Sequence, residues 1–554
     1  MMDICIVGSG AGGSPIAYEL SNAGFSVVVL EKGELYSEED FSKDELGVCR
    51  RDMFTPPLWE QKHIINEYDG ASGVVTRYDG EEYGWSFWNG SLVGGSSNLM
   101  SGYFHRMKPK DFTLLSSYGA IEGANVVDWC ISYDDLEPYY EKVERVVGVS
   151  GRVVSHSAQE PRSTKNFPYK ELATNGVTEW FDSACSRLNL TPIPTPRAIL
   201  SEAVEQRDAC YYSNFCGSYG CSSGAKGSAR AALLQRCSAK IITDAFVYKL
   251  ESENGRVTKA HYYTKHGISH TINAKIFIIA AQAIETSRLL LNSKSEAFPD
   301  GLANSSGEVG KNLIFSAGGI GSGRFNFEKL TKQQQEVLMQ RGLFFNRSLQ
   351  EWYEYKRDGV AQKGGTIDFL FEHQNVVSRA LQELYDEDGN IIWGEALADK
   401  VHSRITQSRL LTFEVFNDWL PTDRCFVGVD KDVKDKYGVS VGVINLNAHP
   451  HDLEVGEYLA KEALKVLEEM GAEDISYSIS SSPPPNLVAG GCRFGNDPKT
   501  SVLNRECRAH DLENLYITDA SFMPTGGSVP YPWTIYANAF RVADVIKKQL
   551  ESLE

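Results

Sequence analysis

The sequence predicts an α/β protein: a Rossmann-type dinucleotide-binding domain joined to an α+β substrate domain with an antiparallel sheet. Three observations carry this. An apolar strand, a glycine-rich loop, a helix, a second strand and an acid follow one another within the first 31 residues. The run Lys275–Leu291 passes from an apolar strand into a helix, and a short apolar strand ends at Asp519. Far from the opening unit, Thr366–Phe371, Leu410–Phe416 and Ser440–Asn445 read as strands of a separate antiparallel sheet.

The opening unit is taken first. Asp3–Val7 is a continuous apolar run, the pattern of a strand buried on both faces. Gly8 permits a tight turn, Gly10 lets the backbone approach a pyrophosphate, and Gly13 lets helix and strand pack closely. Ala11 lies in the same loop. Pro15–Ala23 has helical apolar spacing and stops at Gly24. The helix N-terminus offers free N–H groups and a positive dipole end to phosphates. Phe25–Leu30 is the second strand, and Glu31 at its end is placed to accept hydrogen bonds from a ribose diol. The motif implies a dinucleotide without choosing between FAD and NAD.

Composition narrows the partners. A formal charge of −18 leaves no basic face for nucleic acid and disfavours an anionic membrane surface. No run of about twenty apolar residues is present, so no membrane span is expected. Met1 leads straight into the first strand without a leader, and the chain is read as cytoplasmic. Its eleven cysteines, an odd number scattered over a long chain, read as reduced thiols. A small-molecule substrate is the expected partner.

Several later blocks carry a resemblance. Gly94-Gly95-Ser96-Ser97-Asn98 is followed by Arg106; small residues here let backbone amides touch a flat ring or a phosphate. Ser306–Leu313 forms a further block. Near the C-terminus, Gly490-Gly491-Cys492-Arg493 leads through Asn504 and His510-Asp511 to Asn514–Asp519, Ala520, Ser521 and Met523-Pro524-Thr525, and Thr534–Ala543 closes the chain as a helix. In order and spacing these blocks resemble the glucose–methanol–choline (GMC) oxidoreductases, nearest to the gluconate and sugar dehydrogenase-like members. The resemblance implies an architecture like that of p-hydroxybenzoate hydroxylase, with FAD as the dinucleotide. It places Gly95, Ser96, Asn98, Asp519, Ala520 and Thr534 beside FAD, together with Gly8, Gly10, Ala11, Gly13 and Glu31. Attachment is expected to be non-covalent, because Ser96–Met100 contains no His.

The resemblance fails at the catalytic positions. The family sets a His three residues before the glycine pair, where this chain has Leu487; its second residue, His or Asn, falls on Pro530. Ser316 stands where some members have a further histidine. Neither Leu nor Pro takes a proton, whereas hydride removal from an alcohol carbon is helped by a base for the hydroxyl proton. Tyr531, Asn486, Arg493 and Asn538 are the replacement candidates. Tyr531 leads, with Arg493 as the cation to lower its pKa from about 10; His105 and Tyr536 are further options. The expected reaction is oxidation of a CH–OH group of a sugar, polyol or secondary metabolite, with oxygen, a quinone or a redox protein as electron acceptor. The alternatives are desaturation or amine oxidation through a non-standard site, and a flavin-containing lyase or non-redox flavoprotein.

Cys210, Cys216 and Cys221 share a glycine-rich loop. Some sugar dehydrogenase relatives hold an iron–sulfur cluster in this region, and three thiolates suit a three-iron cluster. The spacing follows no ligand rule, so a packed, reduced loop without metal is the preferred reading, with Lys226 and Ser228 turned toward the FAD phosphates. The FAD-binding domain is expected to be discontinuous, from 1–35, 70–110, 205–315 and 485–554. The substrate domain takes 150–204 and 316–484, and 36–69 and 111–149 connect them. Asp452–Met470 reads as a helix, and 326–364 as loop.

Overall fold

The computed structural model describes residues 1–42, 44–45, 54–55, 61–69, 72–79, 90–340, 342–372, 375–386, 388–483 and 487–552. Among these, two β-sheets face a common cavity. The first opens as the spacing predicts, with the strand Met2–Val7, the helix Ser14–Asn22 and the strand Val27–Leu30. Lys240–Ile242, Val27–Leu30, Met2–Val7 and Ser269–Ile279 lie side by side in parallel, and Leu515–Ile517 joins the far side of Ser269–Ile279. Ile4, Ile6, Val29, Ile276 and Ile278 are buried at its centre, which accounts for the unbroken apolar runs. The hairpin Phe246–Glu253 and Arg256–Tyr263 extends the sheet in the antiparallel sense. The closing helix Pro532–Glu551 packs on Ser14–Asn22 and on Tyr133–Val143, so the two ends of the chain share one core.

The second sheet is antiparallel and forms a roof. Its order is Arg347–Leu349, Gly365–Phe371, Ser408–Asp418, Gly319–Asn326, Glu473–Ile479, with Ser316–Ala317 beside the end of Ser408–Asp418. Side chains alternate along Ser408–Asp418. Leu411, Phe413 and Val415 pack against Leu459, Ala463 and Val466 of the helix Pro450–Glu469, while Thr412, Glu414 and Phe416 take the other face.

Two expectations change. Ser440–Leu446 is not a roof strand; it pairs in parallel with His63–Tyr68 in a separate four-stranded sheet. Strand pattern alone does not say which partner a strand chooses. The stretch 326–364 is not loop: it holds the helix Lys332–Leu338, started by a Thr331–Gln334 capping box, and the hairpin Glu354–Arg357 with Val360–Lys363. No helix among the described residues is long and apolar enough to cross a membrane.

Candidate active site

A cavity of about 540 Å³ is walled by both sheets, within the size range of ligand sites. Its floor is the first glycine loop. Gly8 has φ +96°, and a Cβ there would lie 2.2 Å from the Ala280 carbonyl oxygen, so no side chain fits. Gly10 is the opposite case: no described atom lies within 4 Å of where its Cβ would be, and the residue faces the cavity. Ala11 is also in the wall. Gly13 is not; a Cβ there would sit 2.1 Å from the Gly8 oxygen, so it serves the helix–strand closure.

Glu31 is buried in the wall and held by three donors. Its Oε2 accepts from the Ser9 amide (3.0 Å) and hydroxyl (2.6 Å), and its Oε1 from the Gly33 amide (2.9 Å). The Gly94 amide donates to Ser9 Oγ (2.8 Å), which ties the second glycine loop to the first. Gly95 and Ser96 reach the wall; Asn98 turns inward, its Nδ2 donating to the Val93 and Gly95 carbonyls at 3.0 Å.

The C-terminal return segment completes the floor. Thr518 Oγ1 donates to the Gly12 carbonyl (2.8 Å), and Asp519 and Ala520 line the cavity. Asp519 accepts from the Gln282 amide (3.0 Å), Thr286 Oγ1 (2.5 Å) and the Ser521 amide (2.9 Å). Burial raises its carboxyl pKa against these bonds. Gln282 has φ +78°, a backbone region that favours glycine; its side chain caps the helix Ala283–Asn292. Thr534 is buried away from the cavity, hydrogen-bonded to the Tyr140 hydroxyl at 2.8 Å.

Beyond Glu31 the wall carries Lys32, Glu285 and Arg288. Arg288 pairs with Glu285 (3.1 Å) and Asp435 (2.5 Å). Burial pushes the Glu285 carboxyl up, but Arg288, Lys32 and His63 outweigh it and bring it to about 2. Burial lowers His63 to about 4. In both cases the unfolded chain binds the proton first as pH falls. Stability is therefore lost from about pH 6.5 to 4 through His63, and from about 4.5 to 2 through Glu285. The expected result is a denaturation midpoint that falls on acidification below pH 6.5, with the first part of the fall removed in His63→Gln. An unchanged acid profile in that variant would contradict the assignment.

The expected catalytic group is not brought together. Leu487 and Pro530 stand in the wall. Leu487 has φ +54°, a left-handed conformation that costs a leucine roughly 1–2 kcal/mol. Tyr531, at the start of the closing helix, does not line the cavity. Its hydroxyl donates to the Phe315 carbonyl, and its ring fills the space beside Gly526. Burial holds that hydroxyl well above its ordinary pKa, and Asp418 and Asp452 add to the effect. Arg493 is not its neighbour: the guanidinium bonds to the Thr500 carbonyl (3.0 Å) and Glu308 (3.2 Å). Asn538 is buried against Cys507 Sγ (3.3 Å) and Arg541. Asn486 lies outside the described residues.

Among the polar residues that line the cavity at its roof end are Ser316, Tyr103, Glu414 and Ser478. Ser316 Oγ is buried with no hydrogen-bond partner among the described residues. Tyr103 and Glu414 escaped the sequence reading. The available signal was period 2: Glu414 alternates with Leu411, Phe413 and Val415 and so takes the opposite face of the strand. A side-chain-free floor rich in amides, an acid held for a diol and an orphan hydroxyl at the far end fit a flavin dinucleotide with room for a small substrate.

The three cysteines are half-buried beside Leu200, Ala225 and Phe344. Burial pushes Cys210 up to about 12, whereas at Cys221 burial is outweighed by Lys226. Lys226 does not reach the cavity. Its ammonium donates to the carbonyls of Asn98, Cys216 and Tyr219, and Ser228 caps a helical turn. Among the described residues no group of three or more His, Cys, Asp or Glu is spaced to hold a metal.

Comparison with known proteins follows the same lines. Two family models described as GMC oxidoreductase match residues 73–316 and 421–539, and an NAD(P)-binding Rossmann-like model matches 6–37. The chain is 28% identical to a 2-methyl-1,2-propanediol dehydrogenase of Mycolicibacterium austroafricanum, covering 100% of this chain and 96% of that one. It is 28% identical to a fructose dehydrogenase large subunit of Gluconobacter japonicus, covering 99% and 98%. The solved structure of a pyridoxine 4-oxidase from Mesorbium loti superposes with a TM-score of 0.61 at 18% identity, covering 99% of each chain.

Proposed function

The chain belongs to the GMC family and is an FAD-dependent oxidoreductase, and from that premise we propose that it oxidises a CH–OH group of a small polyol, sugar or secondary metabolite. The observation that carries this reading is the continuity of the cavity, from the Glu31 carboxylate to the roof hydroxyls. Bound FAD, held without a covalent bond, supplies the two-electron acceptor.

The residues of the chain bind, orient and shield. Glu31, already oriented by Ser9 and Gly33, accepts hydrogen bonds from the ribose hydroxyls. The amides around Gly10 and the helix Ser14–Asn22 meet the pyrophosphate. Gly95, Ser96, Asp519 and Ala520 hold the middle of the cofactor, while Asn98 and Gly13 act behind the wall as braces. Leu487, Pro530 and Phe416 exclude water around the reacting carbon. The Ser316 hydroxyl orients the alcohol oxygen. The described parts of 1–35, 70–110, 205–315 and 485–554 carry the cofactor, and those of 150–204 and 316–484 carry the substrate. The acceptor for the second half-reaction is oxygen, a quinone or a redox protein.

The test is anaerobic mixing with 2-methyl-1,2-propanediol, fructose, other sugars and primary amines. Bleaching of the flavin by an alcohol or sugar is the expected result. Bleaching by amines alone, or cleavage without bleaching, contradicts the reading. Ser316→Ala is expected to lower kcat/KM for the best alcohol by about fivefold, the loss of roughly 1 kcal/mol for one hydrogen bond; an unchanged kcat/KM would remove Ser316 from the site.

A further inference from the structure

We infer that Tyr531 is a positioning residue: its phenol locks residues 314–316 to the loop that carries Pro530, and so fixes the Ser316 hydroxyl that orients the alcohol oxygen. The inference rests on reading the cavity as a site of CH–OH oxidation with Ser316 in its wall. Hydride transfer demands a set distance and angle between the alcohol carbon and the atom that receives it. Leu487 and Pro530 cannot hold the alcohol by a hydrogen bond, because neither side chain has a polar atom. Ser316 can, and its buried hydroxyl lines the cavity.

Residues 314–316 join three pieces of the wall. Ile314 and Ala489 exchange amide-to-carbonyl bonds of 2.8 Å in both directions, beside Leu487 and Val488 of the wall. Ser316 stands opposite Asp418 at the end of the roof strand Ser408–Asp418. Between these two anchors the Phe315 carbonyl accepts from the Tyr531 hydroxyl. The Phe315 ring lies edge-on to Trp419, with centroids 5.6 Å apart. The carbonyl belongs to the planar peptide unit that leads into Ser316, so the bond acts one residue from the orienting hydroxyl.

The other end of the bond is equally fixed. Pro530 and Pro532 flank Tyr531, and both line the cavity. Each proline ring holds its own φ near about −65°, which leaves the entry to the closing helix little freedom. Thr525 Oγ1 accepts from Trp129 Nε1 (2.8 Å), and Ser528 Oγ donates to the Gly364 carbonyl (2.7 Å). Gly526 makes room for the ring: a Cβ there would meet the Tyr531 phenol oxygen first. Tyr531 is 1% exposed, and burial raises its pKa well above the ordinary value, so the hydroxyl stays protonated and donates. A phenol that donates to a carbonyl outside the wall is not placed to take the proton of the substrate. It acts on the substrate through Ser316.

The test is a double-mutant cycle on the FAD-loaded protein. The readout is anaerobic bleaching of the flavin by 2-methyl-1,2-propanediol or fructose, with flavin content and denaturation midpoint measured beside it. Tyr531→Phe removes one donor and keeps the ring. It is expected to lower kcat/KM about fivefold, as Ser316→Ala does. The double variant is expected to stay about fivefold below wild type, not about 25-fold, because no Ser316 hydroxyl is left to place. The loss falls on the limiting bleaching rate, with the half-saturating alcohol changed less than about twofold. It is the same at about pH 6 and about pH 9, because a protonated donor does not titrate there. Gly526→Ala presses on the phenol from the other side, and it too loses rate only where the Ser316 hydroxyl is present. Where Tyr531→Phe loses its flavin, Gly526→Ala decides by the same criterion. Equal fold-losses with and without the Ser316 hydroxyl overturn the inference, as does a wild-type rate in Tyr531→Phe. A Tyr531→Phe loss that grows with pH makes the phenol a proton carrier and overturns it as well. A wild type bleached by no alcohol or sugar overturns the oxidation reading instead.

Discussion

Gly10→Val is expected to yield a folded protein that is colourless as purified and takes up FAD about a thousandfold more weakly, roughly 4 kcal/mol. The backbone at Gly10 has no positive φ, and no described atom lies within 4 Å of a Cβ placed there. The isopropyl group therefore meets nothing in the empty fold. It projects into the cavity where the pyrophosphate would approach the loop amides. Gly8→Val is the contrasting control. Its φ of +96° and the 2.2 Å approach of the Ala280 oxygen make it a folding defect, not a binding defect. The measurement is a denaturation curve beside a visible spectrum for each variant. Normal stability with normal FAD content in Gly10→Val would place the pyrophosphate elsewhere.

The second large effect lies outside the cavity. Arg106, the arginine that follows the GGSS block, is 1% exposed. Its Nε and Nη2 donate to Glu144 (3.1 and 2.6 Å), and its Nη1 to Glu137 (2.9 Å) and the Tyr133 hydroxyl (3.2 Å). The guanidinium also lies 5.4 Å from the ring centre of Trp533, next to Thr534 in the closing helix. Burial raises the Glu144 carboxyl pKa even with Arg106 and Arg162 beside it. Arg106→Leu removes one cation from a buried carboxylate, and a loss of about 3–5 kcal/mol is expected. Arg106→Lys keeps the charge without the fork and falls between the two. Chemical denaturation of the three proteins checks the order; a wild-type midpoint for Arg106→Leu would contradict it. This arginine reads as part of the cofactor motif in sequence, yet in space it clamps the helix Tyr133–Val143 to the closing helix.

That contrast shows what the sequence makes legible. The opening Rossmann unit is local: strand, loop and helix follow within 31 residues, and Gly8, Gly10, Gly13 and Glu31 each have a part that spacing alone defines. The return segment is legible because Asp519 ends an apolar strand that must join the same sheet. The roof end of the cavity is different in kind. Tyr103, Ser316 and Glu414 reach its wall from three distant parts of the chain, through a strand pairing that no local pattern encodes. Position in an alignment did place Leu487 and Pro530 in the wall. It could not say that Tyr531, one residue on, would turn out of the wall to bond the Phe315 carbonyl. Nor does spacing tell that Lys226 donates to the carbonyls of Asn98, Cys216 and Tyr219.

The central claim is that the amino-terminal glycine loop and the carboxy-terminal return segment enclose one flavin. Thr518 touching Gly12 is the contact that joins them, and Asp519 ties the return segment to Gln282. Heat release of the cofactor from purified protein, with identification by mass, tests it most directly. One FAD per chain is the predicted result. A folded protein that contains no flavin, and stays colourless after incubation with FAD, would contradict it.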